Sequence, residues 1–204
     1  MMLPNALRNL TRRFARDEKA VAAVEFALIM PFLLALYFGS MEAAALYTAD
    51  KKVNSISATI GDLVSQWDPN DGTLTTSTLN DYFSASTGLI NPYSNVGVKI
   101  VVSLIEVKAD GTTKVLWSKA NAAGTARTVN STFSPLSTGS TMDQVARGGC
   151  LVTSETSYSY KPLLAQVFKN ALNLSHVNYF IPRYGSTQPI NLSTTSLAAT
   201  ACTA

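Results

Sequence analysis

The chain has 204 residues, of which 14% are charged and 47% hydrophobic, and its formal net charge is +3. This excess lies before position 21, where five basic side chains face two acidic ones, whereas the remaining chain has 11 of each sign. Such a balance excludes the concentrated basic face that nucleic-acid binding requires. The length suits one ordinary domain plus a membrane or targeting element.

The first predicted element is a transmembrane helix over residues 21–45. Residues 26–41 carry no charge, and with residues 21–25 they form a run of 21 residues, which spans about 30 Å of hydrocarbon as a helix. The basic cluster before the run predicts that residues 1–20 stay in the cytoplasm as a leader and that residues 46–204 are exported. Pro31 lies inside the span, where it removes a backbone hydrogen bond and is expected to kink the helix.

Glu25 is the single acidic residue near the start of this apolar run. An acid at the centre of a membrane helix costs about 2.5–3.5 kcal/mol on insertion scales, so Glu25 is a candidate functional residue. The plainer alternative is that its side chain reaches the headgroups and has no specific role.

A cleavable secretory signal is the main alternative to a membrane anchor. The chain has a basic region, an apolar region and the small residues 43–45, a pattern that a signal peptidase accepts. The uncharged run is longer than the usual apolar region of about 7–15 residues, and a signal peptide has no use for Glu25. The anchor therefore explains more of the sequence.

An amphipathic continuation of the helix is predicted over residues 46–67. Its apolar residues recur at heptad spacing: Leu46, Val53, Ile60 and Trp67, with Ala49, Ile56 and Leu63 between them. We expect this stripe to pack on the chain's own sheet, since three heptads are short for a coiled coil. Residues 68–72 then end the helix. They faintly resemble a calcium loop, but Leu79 occupies the position of the bidentate acid.

A small antiparallel sheet is predicted over residues 96–184. Residues 96–108 alternate with one change of phase, which indicates a strand with a bulge. Asp110 and Gly111 predict a hairpin to a second strand over residues 113–118. Residues 120–148 are interpreted mainly as a surface loop, for which a recognition or assembly role is a hypothesis. A third strand over 150–160, a short helix from Pro162 to about residue 171 and a fourth strand over 174–184 precede a Ser/Thr-rich tail over 185–204.

Cys150 and Cys202 both lie in the predicted exported region, where an oxidising compartment lets them form a disulfide. Two free thiols or metal ligation are the alternatives. Metal is disfavoured because the single histidine, His176, lies in a predicted strand and no second Cys/His pair exists. Because no nucleophile, base and orienting group occur together, the sequence predicts no enzyme, no catalytic residue and no cofactor.

Several segments resemble one family, the TadE-like pseudopilins or minor pilins of the Tad/Flp tight-adherence pilus system. The resemblance rests on Arg12-Arg13-Phe14-Ala15-Arg16-Asp17, Ala20-Val21-Ala22-Ala23-Val24-Glu25-Phe26-Ala27-Leu28, Pro31-Phe32-Leu33-Leu34 and Glu42. Tyr158-Ser159-Tyr160-Lys161-Pro162-Leu163 is similar to a pattern in the C-terminal part of the same family. The resemblance covers residues 11–67 and, more loosely, residues 150–184.

The resemblance implies cleavage by a prepilin peptidase between Ala20 and Val21, which leaves Glu25 as the fifth residue of the mature chain. The family usually has glycine before the cut, and this chain has Ala20. Cleavage creates an ammonium group at Val21 that the Glu25 carboxylate of a neighbouring subunit can pair with in a low-dielectric setting. The implied fold is α+β and pilin-like: a long N-terminal helix, half transmembrane and half amphipathic, packed on a small antiparallel sheet.

The implied function is a minor pilin-like or pseudopilin-like structural subunit in the assembly of a Tad/Flp type IV pilus. Its expected location is the inner membrane, single-pass, with the N-terminus cytoplasmic and the C-terminal domain periplasmic or extracellular. Its expected partners are other pilin-like subunits, the Tad assembly machinery, the prepilin peptidase and the lipid bilayer. The alternative is a secreted or membrane-anchored ligand-binding domain whose N-terminus is only an export signal.

Overall fold

A computed structural model describes residues 18–162, 171–194 and 201–202. The three described α-helices are α1 (Glu18–Ser65), α2 (Thr76–Thr87) and α3 (Thr141–Ala146), with 3₁₀ turns at Pro69–Asp71 and Gly88–Ile90. The strands are β1 (Lys99–Val107), β2 (Thr113–Ala120), β3 (Gly149–Tyr160) and β4 (Leu172–Phe180). They form one antiparallel sheet in the order β2-β1-β3-β4. The chain divides into two units, one ending at Ala45 and the other beginning at Leu46.

The α+β fold predicted from the sequence is confirmed, and residues 46–65 of α1 pack on one face of the sheet. Their fully buried apolar side chains are Ala49, Val53, Ile56, Ile60 and Val64. The predicted heptad positions Leu46, Leu63 and Trp67 are only half-buried, and Val64 takes the last buried apolar position. The reason is that a straight helix has 3.6 residues per turn, so its buried stripe drifts away from a strict seven-residue repeat.

The segment between β2 and β3 covers the opposite face of the sheet. Phe133, Leu136 and Ala146 pack with β1, β2 and β3 residues in one buried cluster. The Tyr179 hydroxyl donates to the Pro135 carbonyl at 3.0 Å and fixes this segment to β4. Most of residues 120–148 are exposed and irregular apart from α3, as predicted for a surface loop. Phe133, Leu136 and Ala146 are nevertheless buried, because a sheet that is apolar on both faces needs a cover on each.

The predicted bulge lies in β2, whereas the sequence placed it in β1. Leu104 pairs with Trp117 and Ile105 pairs with Val115, so Leu116 is the extra residue. The register between β1 and β3 is regular throughout. The change of apolar phase in β1 arises because its residues from 102 onward are buried on both faces, which removes the usual alternation.

The β1–β2 hairpin forms where Asp110 and Gly111 predicted it. Gly111 has φ +83°, a left-handed conformation that favours glycine, and Asp110 Oδ1 accepts from the Thr112 N–H at 2.8 Å. The third and fourth predicted strands correspond to β3 and β4. The short helix predicted after Pro162 falls largely on residues 163–170, which lie outside the described residues.

Helix α2 was not predicted. Thr75 caps its start by accepting from the Thr78 N–H at 3.1 Å, and Leu79 and Phe83 are buried one turn apart. The described part of the predicted Ser/Thr-rich tail also joins the core. The Trp117 indole N–H donates to the Ile190 carbonyl at 2.7 Å, and Leu192 forms a parallel β-bridge with Leu74.

Candidate membrane anchor and assembly residues

The described part of the first unit is a long apolar helix whose side chains over residues 21–41 are exposed. The window that defines its candidate membrane span has a mean hydropathy of 2.2, and none of that window is buried. Its exposed large apolar residues are Val21, Val24, Phe26, Leu28, Ile29, Met30, Phe32, Leu33, Leu34, Leu36, Tyr37, Phe38 and Met41. A helix that is apolar all round and buried against nothing suggests a single-pass membrane anchor.

The predicted N-terminal site residues all lie on α1. Val21 and Glu25 are four residues apart, so their side chains lie on the same face of the helix, one turn from each other. Glu25 is exposed, and it makes no hydrogen bond or ion pair with any other residue in the described part of the chain. The helix is continuous through Pro31, and the predicted kink stays a prediction.

Glu42, the second acid of the family pattern, differs from Glu25 in its surroundings. Only 8% of Glu42 is exposed. Of the two acids on this part of α1, Glu25 is the one whose carboxylate is accessible to a neighbouring molecule. The structure thus shows a difference in exposure between Glu25 and Glu42 that the sequence did not predict.

A row of polar contacts, which the sequence did not predict, joins α1 to β4. His176 Nε2 lies 2.7 Å from Asp50 Oδ1, and Asn178 Nδ2 donates to Asn54 Oδ1 at 3.0 Å. The spacing fits, because residues four apart on a helix and two apart on a strand each share one face. His176 is therefore occupied by a structural contact with Asp50. The sequence signal for this row was the pair of polar residues Asp50 and Asn54, which lie four positions apart beside the apolar stripe.

The same row continues towards the C-terminal end of α1. Arg183 donates to Asp62 Oδ1 at 2.7 Å, and the Ser57 hydroxyl donates to the Ser154 carbonyl at 2.7 Å. Gly61 faces the Phe180 ring so closely that a Cβ added at Gly61 would lie 2.3 Å from Phe180 Cε2. These contacts fix residues 46–65 of α1 against the sheet over their whole length.

Cys150 and Cys202 form a disulfide in the structure, 52 residues apart in sequence. Among the described residues, no group of three or more His, Cys, Asp or Glu side chains is placed to hold a metal ion. The 68–72 segment forms a capped turn, in which Asp68 Oδ1 accepts from the Asn70 N–H at 2.8 Å. This geometry fits the helix stop predicted there.

Two ion pairs lie on the loop that covers the sheet. The Arg127 guanidinium makes a two-pronged contact with the Glu155 carboxylate, which raises the pKa of Arg127, and it also lies over the Phe133 ring at 4.6 Å. Asp143 accepts from the Gly139 N–H at 2.6 Å and from Arg147 at 3.1 Å. The Gly139 bond, followed by the Arg147 contact, lowers the pKa of Asp143. The Arg127–Glu155 pair joins the covering segment to β3, whereas the Asp143–Arg147 pair lies within that segment.

Comparison with known proteins gives a match to a protein family. No curated protein and no solved structure matches the chain significantly. The family model described as TadE-like protein matches residues 20–59, which include the apolar span, Glu25 and the first part of the stripe that packs on the sheet. The resemblance predicted from the sequence is therefore confirmed over residues 20–59, the segment that is similar to the TadE-like family.

Proposed function

We propose that this protein is a minor pilin-like or pseudopilin-like structural subunit of a Tad/Flp type IV pilus. The observation that supports it best is the accessible carboxylate of Glu25 on an exposed apolar helix, within the segment that matches the TadE-like family. The subunit sits in the inner membrane with its N-terminus in the cytoplasm. Residues 46–204 are exported and contact other pilin-like subunits or the Tad assembly machinery. The protein acts by assembly and performs no catalysis.

Charge pairing between neighbouring helices provides the assembly mechanism. A prepilin peptidase cuts between Ala20 and Val21 and leaves an ammonium group at Val21. Since Val21 and Glu25 are one helical turn apart, a neighbour shifted along the helix axis by about 6 Å brings its Glu25 to that ammonium. At an effective dielectric constant near 20, two charges about 4 Å apart attract by about 4 kcal/mol, from which the cost of desolvation is subtracted.

Substitution of Glu25 tests the mechanism. We expect Glu25→Ala and Glu25→Gln to insert into the membrane normally but to abolish pilus formation, because neither side chain carries a charge. Glu25→Asp keeps the charge and is the matched control, with partial or full pilus formation. Membrane fractionation measures insertion, and electron microscopy of the cell surface measures pili. Normal piliation by Glu25→Gln contradicts the proposal and favours an export signal without an assembly role.

Mass spectrometry of the mature N-terminus tests the processing step separately. A chain that begins at Val21 supports cleavage by a prepilin peptidase despite Ala20 in the position of the usual glycine. A chain that begins at Leu46 supports a cleaved secretory signal and refutes the anchor. A chain that begins at Met1 or Met2 shows an uncleaved anchor, which leaves no ammonium at Val21 and refutes the pairing mechanism.

A further inference from the structure

The unit that begins at Leu46 has two distinct ends. Asp50 pairs with His176 and Asp62 pairs with Arg183, so β4 runs beside α1 in the same direction. The start of β4 therefore lies near Leu46. In an antiparallel sheet, the end of β3 and the start of β1 lie at this end as well. It is the end at which the chain arrives from the apolar span.

Several contacts gather separate segments at this end, which we call the basal face. Its members are Tyr47, Lys51, Lys52, Leu89, Val96, Lys99, Lys161 and Leu172. The Lys52 ammonium donates to the Leu89 carbonyl at 3.2 Å and fixes the loop after α2 to α1. The Tyr93 ring lies edge-on to the Tyr160 ring with centroids 5.9 Å apart, and Tyr160 pairs with Leu172.

The basal face exposes large apolar side chains outside the membrane span. Val96 is 81% exposed, more than any other exposed large apolar residue in the described part of the chain. Tyr47 is 64% exposed, Leu172 44% and Leu89 40%. Exposure of such side chains to water is unfavourable in free energy, and contact with an apolar surface removes that exposure.

Charge is distributed unequally between the two ends of this unit. Lys51, Lys99 and Lys161 are at the basal face, and the nearby acid Asp50 is paired with His176. At the opposite end, Asp68, Asp71 and Asp110 lie together with Lys108, and Asp62 and Asp143 are paired with Arg183 and Arg147. Lys51 also lies over the Tyr47 ring at 5.3 Å. Lysine and tyrosine beside exposed aliphatic groups are typical of a surface at the boundary between lipid headgroups and water.

We propose that the basal face rests on the surface of the bilayer into which α1 inserts, and that its lysines contact anionic phospholipid headgroups. Lys51 follows Ala45 by six residues, about 9 Å of helix, so its side chain reaches the headgroup layer. Val96, Leu89 and Leu172 enter the boundary between headgroups and acyl chains. The inference rests on the membrane anchor of the proposed function.

Tryptophan quenching by brominated lipid tests the contact in the full-length protein. Val96→Trp places a probe on the basal face, and Val145→Trp is the matched control, because Val145 is a 61% exposed valine on α3. Both variants are reconstituted in nanodiscs of phosphatidylglycerol and phosphatidylcholine, and the signal of the unsubstituted protein is subtracted. We expect quenching at position 96 and none above background at position 145.

Lysine substitution tests the contribution of charge. In the Val96→Trp protein, Lys99→Gln should lower the ratio of docked to undocked protein about fivefold on the anionic nanodiscs, and much less on phosphatidylcholine alone. Lys108→Gln is the control, because Lys108 is exposed beside the β1–β2 hairpin at the opposite end. Equal effects of the two substitutions refute the headgroup contact.

The outcomes separate this inference from the proposed function. Failure of the protein to insert into the nanodisc refutes both. Normal insertion with equal quenching at positions 96 and 145 refutes only the docking of the basal face. If a second subunit shields the tryptophan of the Val96→Trp variant and brominated lipid does not quench it, the basal face contacts protein. That outcome also overturns the inference.

Discussion

Gly61 lies where α1 closely approaches the sheet, and replacing it with alanine tests how that packing is achieved. A Cβ at this position would lie 2.3 Å from Phe180 Cε2, 2.5 Å from Phe180 Cδ2 and 3.2 Å from Ser154 Cβ. The first two distances are shorter than a carbon–carbon contact allows, so the Phe180 ring must move. Because Phe180 is partly exposed, the ring has room to turn outward, at the cost of its packing on α1.

Two opposing terms set the expected size of the effect. Alanine is about 1 kcal/mol more favourable than glycine inside a helix. Overpacking a well-filled interface costs about 1–3 kcal/mol. We therefore expect Gly61→Ala to lower the free energy of unfolding by about 1 kcal/mol. Removal of the ring reverses the sign: in a Phe180→Ala background, Gly61→Ala should be neutral or stabilising, which corresponds to a coupling energy of about 1–2 kcal/mol.

Denaturant unfolding of the full-length protein in detergent micelles, followed by the fluorescence of buried Trp117, measures these changes. Gly88→Ala is the matched control, because Gly88 has an ordinary helical φ of −61° and a Cβ added there would meet nothing within 4 Å. We expect that control to raise the free energy of unfolding by about 0.4–1 kcal/mol, because alanine fits the native backbone conformation and loses less conformational entropy than glycine on folding. The same destabilisation by Gly61→Ala with and without the Phe180 ring would refute the packing argument.

Two further predictions concern stability. Replacing both Cys150 and Cys202 by serine should lower the free energy of unfolding by about 4 kcal/mol, on the chain-entropy estimate for a separation of 52 residues. Reduction of the disulfide in the native protein should lower the free energy of unfolding by the same amount. A stability that does not respond to reductant contradicts a structural role of the disulfide. Asp143 has a folded-state pKa below its unfolded value, so it contributes stability above about pH 3.9 that is lost as the pH falls through the folded pKa. The unfolding free energy of the native protein should therefore decline more steeply with acid than that of Asp143→Asn, and parallel pH profiles would count against this assignment.

The parts of the fold that follow from local chemistry could be predicted from the sequence. The uncharged run over residues 26–41 permits little except an apolar helix. Asp110 and Gly111 specify the β1–β2 hairpin, because the turn needs a left-handed residue and a side chain that caps it. Ala49, Val53 and Ile56 mark the buried face of α1 by their spacing.

The parts that depend on distant contacts could not be predicted. Helix α2 has only two large buried apolar residues, Leu79 and Phe83, among Ser, Thr and Asn residues of weak helix propensity. Phe133 and Leu136 lie in a segment without periodicity, and they are buried because the sheet beneath them is apolar on both faces. The Asp50–His176 contact joins residues 126 positions apart, and no local pattern specifies such a pair.

The late position of core residues in the chain affects how this unit folds during synthesis. The Trp117 indole N–H bonds to the Ile190 carbonyl, which is made 73 residues later, and Cys150 bonds to the still later Cys202. A nascent chain that has emerged only as far as β3 lacks the partners of Trp117 and Cys150, so we expect its interior to be completed only after residue 202 has emerged. A chain truncated shortly before Ile190 lacks both partners, and we expect it to be less stable than the full-length protein.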